Sequence, residues 1–441
     1  MERILRPLRN ARGSLRLVSR IKFRLRQAYP VGIAYLLSAC AFLWRRLMFR
    51  TTFIAISGSV GKSTATAALG AILSAHFPTN WTPGGGNNQR VLAETILRTR
   101  FRHRFTVIEV GTKAPGALRR AAWMIAPDVV VMLRVLNVHS NAFPTIEDMA
   151  AEKAQLLSRL GKRGLLILNS DDARVSAMQA HCRARVQTFG ASTEAFVKAS
   201  EVSSKWPRRL SFRVHCGGES NWVETNLVGE HMLTSALAAL TAAVCCGVPL
   251  ADAAARFKEI NPVPGRMQPT QMPNGVIVIR NEHNGALPTF EAALRVMQNA
   301  EARRRIVIVG DVLDSGLSER GRFRYLGVQV ARAADMGIFI GRSSNTSASA
   351  AVEAGLSRDS ARGFKTLPEA ATFLRSELRA GDLVLLHGWV GRHLERIILA
   401  QLGSLSCWVE RCTKLIQCES CPELKLVRLP ETETRASRNQ A

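Results

Sequence analysis

From residue 53 onward, short β-rich apolar runs alternate with helical patterns. Phe105–Val110 (FTVIEV), Pro127–Leu133 (PDVVVML) and Gly164–Asn169 (GLLILN) are unbroken apolar runs of strand length. Glu147–Leu160 carries helical spacing between two of them. A proline-rich joint at Asn261–Pro264 interrupts the pattern. Beyond it Val276–Arg280, Arg305–Val309, Met336–Ile340 and Leu383–His387 again read as strands separated by helices. Strand–helix alternation predicts parallel sheets covered by helices, so two α/β domains are expected, over residues 51–262 and 263–403. Ligands of such sheets sit beyond the carboxyl ends of the strands, which makes the polar residues closing each run the candidates for chemistry. The hinge between the domains is a natural cleft.

Composition adds a partner class. The chain has 441 residues, 47% of them hydrophobic, enough for more than one core. Its net charge is +26, from 60 basic and 34 acidic residues, with arginines crowded into residues 1–50. No aromatic-plus-basic motif accompanies them, so nucleic acid is not expected, and an anionic membrane surface is the preferred partner for that extension. Val31–Trp44 is apolar for fourteen residues. A transmembrane helix needs about twenty, so the run reads either as a membrane-surface anchor or as a buried helix. Of nine cysteines, Cys40, Cys182, Cys216, Cys245 and Cys246 are scattered and read as reduced thiols of a cytoplasmic protein, peripheral at the inner membrane surface. Cys407, Cys412, Cys418 and Cys421 cluster in the tail, residues 404–441. They offer either a Zn²⁺ site or free thiols on a loosely ordered segment. Pro430–Ala441 reads as disordered.

The strongest chemical signal is Ile54–Thr64, IAISGSVGKST. An apolar run enters a glycine loop, and the Ala-rich run Ala65–Leu73 then opens a helix. Glycines let backbone N–H groups approach phosphate, and the helix dipole adds positive potential there. Gly58, Ser59 and Gly61 form the cradle, Lys62 reaches the terminal phosphates, and Ser63 or Thr64 ligates Mg²⁺. The loop is two residues shorter than the full-length phosphate loop, because Gly58 and Gly61 bracket only Ser59 and Val60. The competing reading is an ordinary turn with an incidental lysine. Glu109 and His139 follow two neighbouring runs and could complete a divalent-metal shell, or else be a solvated acid and a loop histidine.

With GSVGKST, Glu109-Val-Gly, Asn137-Val-His139, Glu152-Lys153 and Asn169-Ser-Asp171-Asp172 in this order, the chain resembles the Mur ligase family. Gly229-Glu-His231, Gly265-Arg266-Met267, Asn284-Gly-Ala-Leu-Pro-Thr-Phe and Gly310-Asp311 extend the resemblance to most of residues 53–396. The resemblance implies a P-loop-containing parallel-sheet central domain followed by a Rossmann-like α/β domain. It implies ATP and Mg²⁺ as cofactors, and small-molecule or peptide acids and amines as substrates, joined through an acyl phosphate. Lys62, Lys153 and His139 would then be catalytic, with Lys153 in the place of a carbamylated lysine. Glu109, His139 and Lys153 would hold metal, Arg266 would touch phosphate from the hinge, and His231 would begin the helix beside the nucleotide.

The chain departs from the family where substrates bind. Basic and apolar residues stand before Gly58 in place of a UDP-sugar-binding domain. Met232 and Ser235 replace two asparagines, Arg280–Ala286 lacks an acidic start, and His387-Gly-Trp-Val replaces a Lys-Gly-Ser-Arg segment. The expected function is an ATP-dependent carboxylate–amine ligase with a non-standard substrate. Its alternatives are the standard ligase adding D-alanyl-D-alanine to UDP-muramoyl-tripeptide, and a non-catalytic ATP-binding scaffold at the membrane.

Overall fold

The computed structural model describes residues 34–138, 142–313, 316–410, 412, 414 and 416–428. The basic stretch before residue 34, His139 and the expected disordered end at Pro430–Ala441 lie outside the described residues.

The first sheet has nine strands: β1 (Thr52–Ser57), β2 (Thr79–Trp81), β3 (Phe105–Glu109), β4 (Val129–Met132), β5 (Leu165–Asn169), β6 (Arg185–Gly190), β7 (Val197–Ser203), β8 (Ser211–Cys216) and β9 (Glu219–Glu224). Their order is β2-β3-β1-β4-β5-β6-β7-β8-β9. Pairing is parallel from β2 to β7 and antiparallel from β7 to β9. The central strands are buried on both faces, which is why they read as unbroken apolar runs. The antiparallel extension was not legible. Along β8 only Phe212 and Val214 are buried, and polar residues separate them.

The second sheet contains β10 (Gln268–Gln271), β11 (Ile277–Asn281), β12 (Arg304–Val309), β13 (Met336–Ile340), β14 (Ala361–Phe364) and β15 (Asp382–His387). Its order is β10-β11-β15-β12-β13-β14, parallel throughout except for the edge pair β10–β11. The tail forms a two-stranded antiparallel ribbon, β16 (Gly403–Leu405) with β17 (Leu426–Arg428).

Residues 34–47 are helical and dock on the first domain. Arg45, 9% exposed, donates from Nε to the Ile125 carbonyl at 2.7 Å and from Nη2 to the Ala126 carbonyl at 2.8 Å. Nη2 also meets Asp128 at 3.0 Å, and Asp128 in turn accepts the N–H of Phe53 at 2.8 Å. Phe42 stacks on Trp123 at 3.7 Å. The helix therefore has one packed face and one face that exposes Leu36, Leu43 and Leu47. Among the described residues no helix is long and apolar enough to cross a membrane.

Arg45 is the helix's polar anchor, so Arg45→Ala is expected to cost about 1.5–3 kcal/mol. Denaturant unfolding should register that loss, and limited proteolysis should cut near residue 50 faster than in the parent. An unchanged midpoint and cleavage rate would show that the helix is not held in this way.

Candidate active site at the carboxyl ends of the first sheet

Strand β1 delivers Ser57 to the glycine loop, and the helix Lys62–Ser74 leaves it. Gly61 sits at the helix start with φ of 83°, and a Cβ there would lie 2.5 Å from Ser235 Oγ. Both the left-handed backbone and the close approach require glycine. Ser235 Oγ donates to the Gly61 carbonyl at 3.0 Å. The loop is pinned from the other side by Ser59, whose N–H donates to Arg134 O at 2.7 Å and whose Oγ accepts the N–H of Leu136 at 2.9 Å. Lys62 folds back over the loop, donating to the Gly58 carbonyl at 2.9 Å and the Ser59 carbonyl at 3.3 Å.

Three further polar groups adjoin this loop. Glu109 closes β3 and is 1% exposed; its Oε1 accepts from Asn87 Nδ2 at 2.9 Å, while Oε2 has no partner among the described residues. Ser63 Oγ is likewise buried and unpartnered, whereas Thr64 is not among the orphaned groups. Arg266 arrives from the hinge with an unpartnered Nε. A Cβ on Gly85 would lie 2.8 Å from Ser63 Oγ and 3.1 Å from Arg266 Nη2, which places those two groups beneath the same glycine turn.

The electrostatics are lopsided. Burial lowers the pKa of Lys62, with Glu109 opposing and Arg266 reinforcing the shift. Burial lowers Arg266 too, against Glu109. Lys153, at the end of the helix Ile146–Ala154, is 2% exposed, and its amine is held well below its ordinary range by burial and then by Lys62. Its neighbour Glu152 offers limited relief, because its carboxylate accepts the N–H groups of Gly116 and Leu118, each at 2.8 Å. That caps the helix Ala117–Ile125.

The loop, Lys62, Ser63, Glu109, Lys153 and Arg266 are thus brought together. His231 stands farther back. It lies in a turn leading into the helix Leu233–Cys245, and burial and then Arg295 push its imidazole down to about 4. The helix it opens reaches the loop through Ser235. Sequence reading missed Asn87 and the turn Gly84–Gly86, although Pro83-Gly-Gly-Gly is a loop signal. It also missed a cavity of about 910 Å³ beside Asn87 and Gly111. Tyr35 and Ser38 of the N-terminal helix line it, with Lys113, Arg119, Arg120 and Arg159. Those four cations form no ion pair among the described residues.

In the second domain Glu282 does not face the loop as a free acid. Arg280 holds it with Nε at 2.8 Å, and burial still pushes its carboxyl up to about 7. Arg280 also pairs with Glu419 of the tail. Of the two readings of the tail cysteines, the four-cysteine zinc site does not assemble. Among the described residues the one group of metal-capable donors is His393, Glu395 and Cys418. Packing separates the thiols: Cys418 is buried, while Cys407, Cys412 and Cys421 are half-buried.

Two family models match the chain: the Mur ligase middle domain over residues 56–243, and the Mur ligase glutamate ligase domain over residues 265–389. The UDP-N-acetylmuramoyl-tripeptide–D-alanyl-D-alanine ligase of Mycobacterium tuberculosis is 28% identical over 355 residues, covering 76% of this chain and 70% of that protein. The ligase of the same name from Escherichia coli is 25% identical over 276 residues, covering 62% of this chain and 60% of that protein. In fold the chain is similar to MurF from Acinetobacter baumannii, with a TM-score of 0.76 at 22% identity, covering 83% of this chain and 80% of that one. It is also similar to the ADP complex of MurF from Thermotoga maritima, with a TM-score of 0.72 at 18% identity, covering 83% of each. The chain belongs to the Mur ligase family of ATP-dependent ligases, which form carbon–nitrogen bonds.

Proposed function

We propose that this protein joins the carboxylate of an anionic acid to an amine, with ATP and Mg²⁺, through an acyl phosphate. The observation that carries this reading is the group of orphaned atoms around the glycine loop: Ser63 Oγ, Glu109 Oε2 and Arg266 Nε, beside Lys62. A magnesium triphosphate offers acceptors to Lys62, Arg266 and the loop N–H groups, and a cation to Ser63 and Glu109. Bound Mg²⁺ would neutralise phosphate charge. Lys62 and Arg266 stabilise the charge that develops as the carboxylate oxygen attacks the γ-phosphorus and ADP leaves. The amine nitrogen then attacks the acyl carbon, loses its proton and expels phosphate.

Lys153 fits carbamylation, since the depressed pKa leaves a larger fraction of neutral amine to attack CO₂. The carbamate anion would relieve repulsion with Lys62 and add a metal ligand. Lys62→Ala is expected to lower amine-dependent ADP release by about 10²–10³-fold with circular dichroism unchanged. Lys153→Ala should be equally slow but regain turnover with added short carboxylates. Parental rates in either variant would remove the assigned role.

The cationic cavity is the proposed seat of the acid substrate, because Asn87 links its lining directly to Glu109. Four cations there, unpaired among the described residues, suit an acid with a second anionic group. The UDP-muramoyl substrate of the relatives is the natural first comparison in an ADP-release screen. Reversing Arg119 and Arg120 to Glu should raise KM for the acid about tenfold or more while leaving KM for ATP unchanged. Equal effects on both would place the acid elsewhere.

The exposed face of the N-terminal helix (Leu36, Leu43 and Leu47, with Phe49 beyond its end) stands beside Arg50. We assign it to peripheral contact with an anionic membrane surface. Leu36→Glu/Leu43→Glu should reduce co-sedimentation with phosphatidylserine vesicles relative to the parent. Equal partitioning would refute that contact.

A further inference from the structure

We propose that His393, Glu395 and Cys418 form a zinc-class metal site that fastens the C-terminal tail to the second domain. His393 follows the turn Val390–Arg392, Glu395 begins the helix Glu395–Leu399, and Cys418 begins the turn Cys418–Ser420. Each is 2% exposed.

Three electron-rich atoms converge on one point. His393 Nδ1 lies 3.1 Å from Glu395 Oε1 and 3.4 Å from Cys418 Sγ. Zinc bonds of the usual lengths at tetrahedral angles separate nitrogen from oxygen by about 3.3 Å and nitrogen from sulfur by about 3.6 Å. The observed separations lie within about 0.2 Å of both edges. Mixed sulfur, nitrogen and oxygen donors select zinc over magnesium or calcium, which take oxygen.

A catalytic relay does not fit the same atoms. A cysteine–histidine–glutamate relay uses opposite ring nitrogens, one for the thiol and one for the carboxylate. Here both crowd Nδ1, while His393 Nε2 is buried without a partner. Glu395 Oε2 is also buried and unpartnered. Burial and then Glu395 push the Cys418 thiol up to about 12, so binding a metal there would release its proton. Arg396 Nε donates to Cys418 Sγ at 3.1 Å, and the Cys418 N–H donates to Glu395 Oε1 at 3.0 Å.

The consequence is mechanical. Gln417 and Glu419 flank Cys418 and reach the hinge and Arg280, since a Cβ on Gly265 would lie 3.1 Å from Gln417 Nε2. A metal at Cys418 would therefore hold the tail against the hinge that carries Arg266.

The full chain, purified without chelator, should carry about one equivalent of zinc by plasma mass spectrometry. His393→Ala and Cys418→Ser should each lose most of it, while a Cys407→Ser/Cys412→Ser/Cys421→Ser variant should keep it. Cobalt exchanged into the parent chain should show a thiolate charge-transfer band, which needs no variant to fold. Folded parent protein with no stoichiometric metal and no such band would overturn the proposal. So would zinc retained by His393→Ala but lost from the triple cysteine variant.

Discussion

Three cations are held near one another at the mouth of the first sheet, and the protein supplies too little negative charge to balance them. Lys62, Lys153 and Arg266 are each depressed by burial, Arg266 depresses Lys62 further, and Lys62 depresses Lys153 further. Glu109 opposes two of them, while Glu152 is committed to a helix terminus. Desolvated like charges cost free energy unless an anion joins them. Polyphosphate would satisfy that need, and a carbamate on Lys153 would convert one offender into part of the answer. The strain and the function have the same source.

Around this centre the scaffold is rigid where the nucleotide is proposed to sit and open where the substrate would vary. Ser59 and Ser235 pin the glycine loop from two elements distant in sequence. The cavity beside it is built partly from the N-terminal helix, which is docked through Arg45. The same helix thus shapes the proposed substrate site with one face and exposes apolar residues on the other. That joint use gives a physical reason for the proposed membrane contact to lie beside the proposed catalytic centre.

The second domain carries its own buried polar system. Arg280 bridges Glu282 and Glu419, so the tail is tied to the segment next to the hinge. Arg280 holds Oε1 of Glu282, while Oε2 is buried without a partner among the described residues. Tail, hinge and Arg266 therefore form one connected unit.

Local signals were legible in the chain alone. The apolar runs of β1, β3, β4 and β5 show as unbroken stretches because helices cover both faces, and the glycine loop shows because its chemistry is contiguous. Strands β8 and β9 did not show, since half-buried antiparallel strands carry only a short alternation. The order of motifs was enough to recognise the family. Convergence across long separations was decided by tertiary structure: Lys62 with Lys153 and Arg266, and Asn87 with Glu109. Tertiary structure also chose the partners of Cys418. Sequence spacing grouped it with three other thiols, but the chain folds it against His393 and Glu395, because burial of the turn at Cys418 brings distant donors closer than neighbouring ones.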